Sequence, residues 1–152
     1  MPLPELVFTT IGEVLENKDA RQRIIWLLEQ LKSFFPEPVD DAFISETRDS
    51  EGRQTLVSVW AFTRSFAIEF GEPLESDHFD VTPLRQLSYM EVFKNAYDFN
   101  IPRVTETSTM AVIVRFGEGM RGRFLASRVN CVHLARITRE RLLPALTLYT
   151  PP

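Results

Sequence analysis

The chain has 152 residues, of which 44% are hydrophobic and 25% charged, with a formal net charge of −4 at pH 7. That length suits a single domain able to bury about two-thirds of its unfolded surface without disulfides or metal, and the composition excludes a disordered or fibrous chain. No apolar run approaches the roughly 20 residues of a membrane helix, and an acidic total with only Lys18, Lys32 and Lys94 as lysines argues against general nucleic-acid binding.

The start, Met1-Pro2-Leu3-Pro4-Glu5, lacks the basic and apolar stretches of a signal peptide. One cysteine, Cys131, cannot close an intramolecular disulfide. A cytoplasmic location is therefore expected. Charge is unevenly spread. Residues 1–114 hold 10 basic against 19 acidic side chains, whereas residues 115–143 hold seven arginines against Glu118 and Glu140. Such asymmetry marks either an anion-binding face or two halves of a fold that complement each other.

In chain order, Thr10-Ile11-Gly12-Glu13 has the form of a capping box, and Asp19 is a second candidate cap for a helix reaching Phe35. Ile24, Leu27, Leu28, Leu31, Phe34 and Phe35 recur at helical spacing there, so this helix must bury one face. Pro36 and Pro38 end it. The period then changes to two. Phe43–Arg48 reads as a strand turned by Asp49-Ser50-Glu51-Gly52. Gln54–Phe62 alternates, with Leu56, Trp60 and Phe62 on one side and Val57 and Val59 on the other. Phe66 to Gly71 repeats the pattern before an acidic loop running to His78.

Phe79 to Phe93 reads in two ways. It forms two short strands, Phe79–Thr82 and Ser88–Phe93, joined by a turn containing proline, or one helix capped by Thr82 with Pro83 at its first position, which periodicity alone slightly favours. Later, Met110, Val112, Val114 and Phe116 alternate with Thr109, Ala111, Ile113 and Arg115, and Gly117-Glu118-Gly119 turns into Arg123–Ala126. The last helix has Asn130 as its cap, with Val129 and Leu134 placed to staple its start, and Pro144 is expected to end it.

With the strand option, residues 41–143, about two-thirds of the chain, resemble the pleckstrin-homology-like (PH-like) superfamily, in particular its GRAM and bacterial PH-like branches. The resemblance rests on Trp60-Ala61-Phe62-Thr63-Arg64, on Val81-Thr82-Pro83-Leu84 through Tyr89-Met90-Glu91-Val92, and on Met110 through Gly119 to Phe124 with Leu134 and Ile137. It implies an α+β fold: a partly open seven-stranded antiparallel β-barrel over residues 39–146, capped by a C-terminal helix. Residues 1–38 then form an N-terminal helical extension that packs on the barrel or on a partner, and 147–152 a frayed tail. The helix option orders the elements as helix, three strands, helix, two strands, helix, which is similar to the acidic dimeric chaperones of type III secretion systems.

Enzyme signatures are scarce. No phosphate loop, nucleophile elbow or paired-cysteine motif occurs, and no cofactor or metal is expected. Cys131 and His133 are only two residues apart, although a helix start lowers a thiol pKa. Ser76-Asp77-His78 gathers triad residue types in one loop, but triad members are usually distant in sequence. PH-like domains that bind phosphates use basic residues on the first hairpin and on the sixth–seventh strand hairpin. The resemblance therefore points to Arg48, Arg53, Arg121 and Arg123 as ligand-binding residues, although Asp49 and Glu51 between the first two interrupt the basic run of the family. The expected function is non-enzymatic binding or scaffolding through a protein partner or a homodimer formed by the N-terminal helix, with a weak anionic lipid or inositol phosphate as the alternative ligand.

Overall fold

The computed structural model describes residues 3–71, 78–95 and 104–151. Two helices, α1 (Glu5–Val14) and α2 (Lys18–Leu31), precede seven strands: β1 (Asp41–Arg48), β2 (Gln54–Phe62), β3 (Phe66–Gly71), β4 (Asp80–Pro83), β5 (Leu87–Asn95), β6 (Thr109–Phe116) and β7 (Met120–Ser127). A C-terminal helix follows as α3 (Asn130–Ile137), a π-helical turn (Thr138–Leu142) and α4 (Leu143–Thr147). The fold is α+β, with one antiparallel sheet ordered β1-β2-β3-β4 and another ordered β5-β6-β7. Phe79–Phe93 takes the strand option, with a short 3₁₀ turn at Leu84–Gln86 between β4 and β5. The helix that the chaperone-like order required is not there.

The first sheet is buried on both faces. Phe43, Trp60, Phe62 and Ala67 face the second sheet and α3, where they meet Val112, Phe124 and Leu134. Ala42, Ile44, Val59, Ala61 and Ile68 face the other way, against Val7, Ile11, Ile24 and Leu28 of α1 and α2. Fully burying an aliphatic or aromatic side chain contributes about 1.5–3 kcal/mol, so each layer supplies several such terms. This double burial explains why Asp41–Glu46 and Ser58–Phe62 are buried without interruption.

One departure from simple alternation has a local cause. The β1–β2 register jumps from Ser45↔Ser58 to Glu46↔Leu56, leaving Val57 as the extra residue of a bulge. The bulge flips the faces, so Leu56 packs with Val59 on the α1–α2 side and not with Trp60 and Phe62.

β7 runs across the first sheet from β4 to β1. Met120 touches Thr82 of β4, Gly122 lies against Trp60 of β2, Phe124 packs among Phe43, Trp60 and Phe62, and Ser127 reaches Glu46 of β1. Where β7 passes β1, the Ser45 hydroxyl donates to the Arg123 carbonyl at 3.2 Å and accepts from the Leu125 N–H at 2.9 Å. Beside it, Glu46 accepts from the Ser127 N–H at 2.8 Å, the Ser127 hydroxyl, the Asn130 amide at 3.2 Å and the Gln54 amide at 3.4 Å. A seam of polar side chains, and no continuous ladder, joins the sheets here.

Several helix ends differ from expectation. Asn17, not Asp19, caps α2 by accepting from the Asp19 and Ala20 N–H groups, and the helix ends at Leu31. Thr10–Glu13 lies inside α1, where the Thr10 hydroxyl donates back to the Leu6 carbonyl and so makes no capping box. Asn130 is the first residue of α3, its amide committed to the Ile44 carbonyl at 2.7 Å. Pro144 does not end the helix, because the preceding π turn, in which the Leu143 N–H donates to the Thr138 carbonyl, accommodates the missing proline donor.

Gly122 sets the crossing. A Cβ there would lie 2.9 Å from Trp60 Cη2 and 3.0 Å from Val114 Cγ2. Gly122→Ala is expected to destabilise the fold by about 1–3 kcal/mol through overpacking, whereas Gly119→Ala, with open space around it, leaves the urea midpoint nearly unchanged.

Candidate anion-recognition face

The second sheet is covered on one side only. Its inner positions, Met110, Val112, Val114, Phe116 and Phe124, belong to the core. The alternate positions point away from it, and Tyr89, Glu91, Phe93, Arg121 and Arg123 among them are exposed. The strand registers place these outward residues in three rows: Tyr89–Arg115–Arg121, Glu91–Ile113–Arg123 and Phe93–Ala111–Leu125. Three guanidinium groups and two exposed aromatic rings thus share one face with a single carboxylate.

The rows are closely spaced. Neighbouring strands lie about 4.8 Å apart, and alternate residues along a strand about 6.6 Å. Arg115 stands directly opposite Arg121, an arrangement of like charges that is destabilising by itself. The Arg115 guanidinium is 5.4 Å from the centre of the Tyr89 ring, which favours a cation over its face. A hydrogen bond to Glu91 pushes the Tyr89 hydroxyl pKa up, and Arg115 and Arg121 act against that shift. Arg121 and Arg123 are exposed and, among the described residues, hold no carboxylate at ion-pair distance. Arg123 does act at longer range on Glu69, whose carboxyl pKa is raised mainly by burial.

The four arginines expected to bind ligand are not brought together. Arg48 is a structural clamp, only 13% exposed, donating to the Gly52 carbonyl at 2.8 Å and to Glu16 at 2.8 Å, with Glu46 3.9 Å away. Arg53 is exposed, but Glu51 and Asp49 hold it at 2.7 and 3.2 Å. Backbone N–H donation, led by that of Arg53, lowers the Asp49 pKa and keeps this turn anionic. Gly52 lies beside Arg128, just past the end of β7, whereas Arg121 is near its beginning. Seven residues of extended chain separate the two positions, roughly 23 Å. Arg121 and Arg123 share the outward face with Arg115 and Tyr89, which the sequence reading did not single out. The signal was present: the Gly117-Glu118-Gly119 turn makes Arg115 and Arg121 equidistant from its centre.

Other chemically capable residues have structural surroundings. Cys131 is fully buried, and desolvation, reinforced by Glu46, pushes its thiol pKa up to about 12, overriding the helix-start effect. His78 is exposed, 3.3 Å from Asp80, while Ser76 and Asp77 lie outside the described residues. His133 is buried, and its Nε2 is 2.9 Å from Glu13 Oε2, linking α3 to α1. Among the described residues, no group of three or more His, Cys, Asp or Glu side chains is arranged to hold a metal, and no helix is long and apolar enough to cross a membrane. Comparison of the chain with family models, curated proteins and solved structures found no match.

Burial lowers the His133 pKa against the opposing pull of Glu13. The unfolded chain therefore takes up a proton first as pH falls below about 6.5, and stability declines from there down to the folded-state pKa. Thermal unfolding between pH 7.5 and 5 should show this loss in the wild type and a smaller one in His133→Gln.

Proposed function

We propose that the chain is a non-catalytic PH-like binding domain that recruits an acidic protein segment through the outward face of β5, β6 and β7. In this reading the two sheets form the partly open barrel of the superfamily, the C-terminal helix caps it, and the protein acts in the cytoplasm. The seven-strand order with a C-terminal helix supports the family assignment. The observation that carries the binding role is Arg115 directly opposite Arg121, with Arg123 one row away and Glu91 as the one carboxylate in the three rows.

Such an arrangement costs stability in the free protein and is relieved when an anion settles over it. Guanidinium groups match carboxylates in a planar, two-pronged geometry. Phe93, 54% exposed, and Tyr89 add apolar anchors of the kind that hold protein partners. Side chains set in rows at strand spacing fit an extended polypeptide, whose own side chains repeat at the same spacing. The Arg48–Arg53 turn contributes little, because its own acids occupy it.

Fluorescently labelled poly-L-glutamate is the direct probe. The double variant Arg121→Glu/Arg123→Glu should weaken its binding at low salt by about tenfold, since exposed ion pairs contribute about 0.2–1 kcal/mol each, while Arg53→Glu should leave it unchanged. Equal binding by wild type and double variant overturns the reading. So does saturable binding of phosphatidylserine vesicles with none of poly-L-glutamate, which would make the face a lipid reader.

A further inference from the structure

A second, independent feature is concave. Between the β2–β3 turn, the β4–β5 connection and α4 lies a groove of about 710 Å³, within the size range of small-molecule sites. Its floor is apolar and continuous across both cores. Phe66 comes from the core beneath α1 and α2, whereas Leu84 and Ala145 come from the core between the sheets. Leu148, 74% exposed, forms one wall. The π turn before Pro144 shapes the helical side, and Pro144 has no N–H to offer the Glu140 carbonyl.

The charges around the groove are matched, with one exception. Glu37 accepts from the Thr63 hydroxyl at 2.5 Å, the Ser65 N–H at 2.8 Å and the Ser65 hydroxyl at 3.1 Å, and Arg64 lies 3.9 Å away. Those donors, Thr63 first, hold the Glu37 pKa low, so it remains an occupied carboxylate. Glu140 is 3.5 Å from Arg136, and Arg141 is 2.8 Å from Asp40. Arg85 is exposed at the rim and, among the described residues, has no carboxylate at ion-pair distance.

We propose that this groove binds a small alkyl monocarboxylate, its chain on the Phe66–Leu84–Ala145 floor and its carboxylate on Arg85. An apolar floor with one unmatched guanidinium at the rim complements one apolar chain bearing one negative charge. The groove shares no lining residue with the arginine face, and neither proposal depends on the other.

Sodium decanoate, titrated calorimetrically below its micellar concentration, tests the assignment. One-to-one saturable binding is expected, weakened about tenfold by Arg85→Glu and by Leu148→Asp, and unaffected by Arg121→Glu. Both groove positions are exposed, so these variants should keep the wild-type unfolding temperature, which is measured alongside. Decanol should bind more weakly than decanoate. The proposal fails if decanoate does not saturate, if either folded groove variant binds it like the wild type, or if decanol binds equally well. It also fails if decanoate does not bind but an acetylated peptide with a C-terminal leucine does, since the groove would then serve a polypeptide. Parallel measurements with poly-L-glutamate separate a failure here from a failure of the arginine face.

Discussion

Glu46 is the side chain on which the arrangement of both sheets depends. It is 1% exposed, at the point where the β1–β2 bulge interrupts the ladder. Removing a carboxylate from water costs several kcal/mol unless its oxygens are fully bonded, and here they are shared among Ser127 of β7, Asn130 of α3 and Gln54 of β2. One residue thus ties the first sheet, the second sheet and the C-terminal helix. A second buried acid does similar work at the other end of β1, where Asp41 receives both arms of Arg136 at 2.6 and 3.0 Å. Between these two anchors, β1 carries no water-facing side.

That double coverage separates the roles of the sheets. With α1 and α2 on one side and the second sheet on the other, β1 to β3 supply the core and few recognition groups. The second sheet keeps one open side, and its arginines gather there. The helical N-terminus thereby acquires a structural role: Val7, Ile11, Ile24 and Leu28 cover apolar surface that would otherwise face solvent. Trp26, 60% exposed, takes no part in that cover.

Much of this was legible in the residues. The alternation of Gln54–Phe62, Phe66–Gly71 and Met110–Phe116 marked three strands whose observed bounds agree, and the Gly117–Gly119 turn marked the hairpin joining β6 to β7. The helical spacing of Ile24, Leu28 and Leu31 identified the buried stripe of α2. Less visible were features decided by partners distant in sequence. Asn130 has the chemistry of a cap, yet the Ile44 carbonyl, 86 residues away, claims its amide. Asp19 and Thr10–Glu13 are also good cap types, but a neighbouring Asn17 and an earlier helix start took precedence.

What the sequence determined by itself is the type of each element outside residues 79–95, because periodicity and turn chemistry are local properties of the chain. It also placed the excess of arginine in the last quarter. Tertiary structure decided between strand and helix for residues 80–95, where periodicity alone slightly favoured the helix and pairing of β4 with β3 and of β5 with β6 overrode it. Tertiary structure also separated Arg48 and Arg53 from Arg121 and Arg123. β7 runs from β4 to β1, so its two ends reach opposite edges of the first sheet, and Gly122 lets it lie close against Trp60, two residues 62 positions apart.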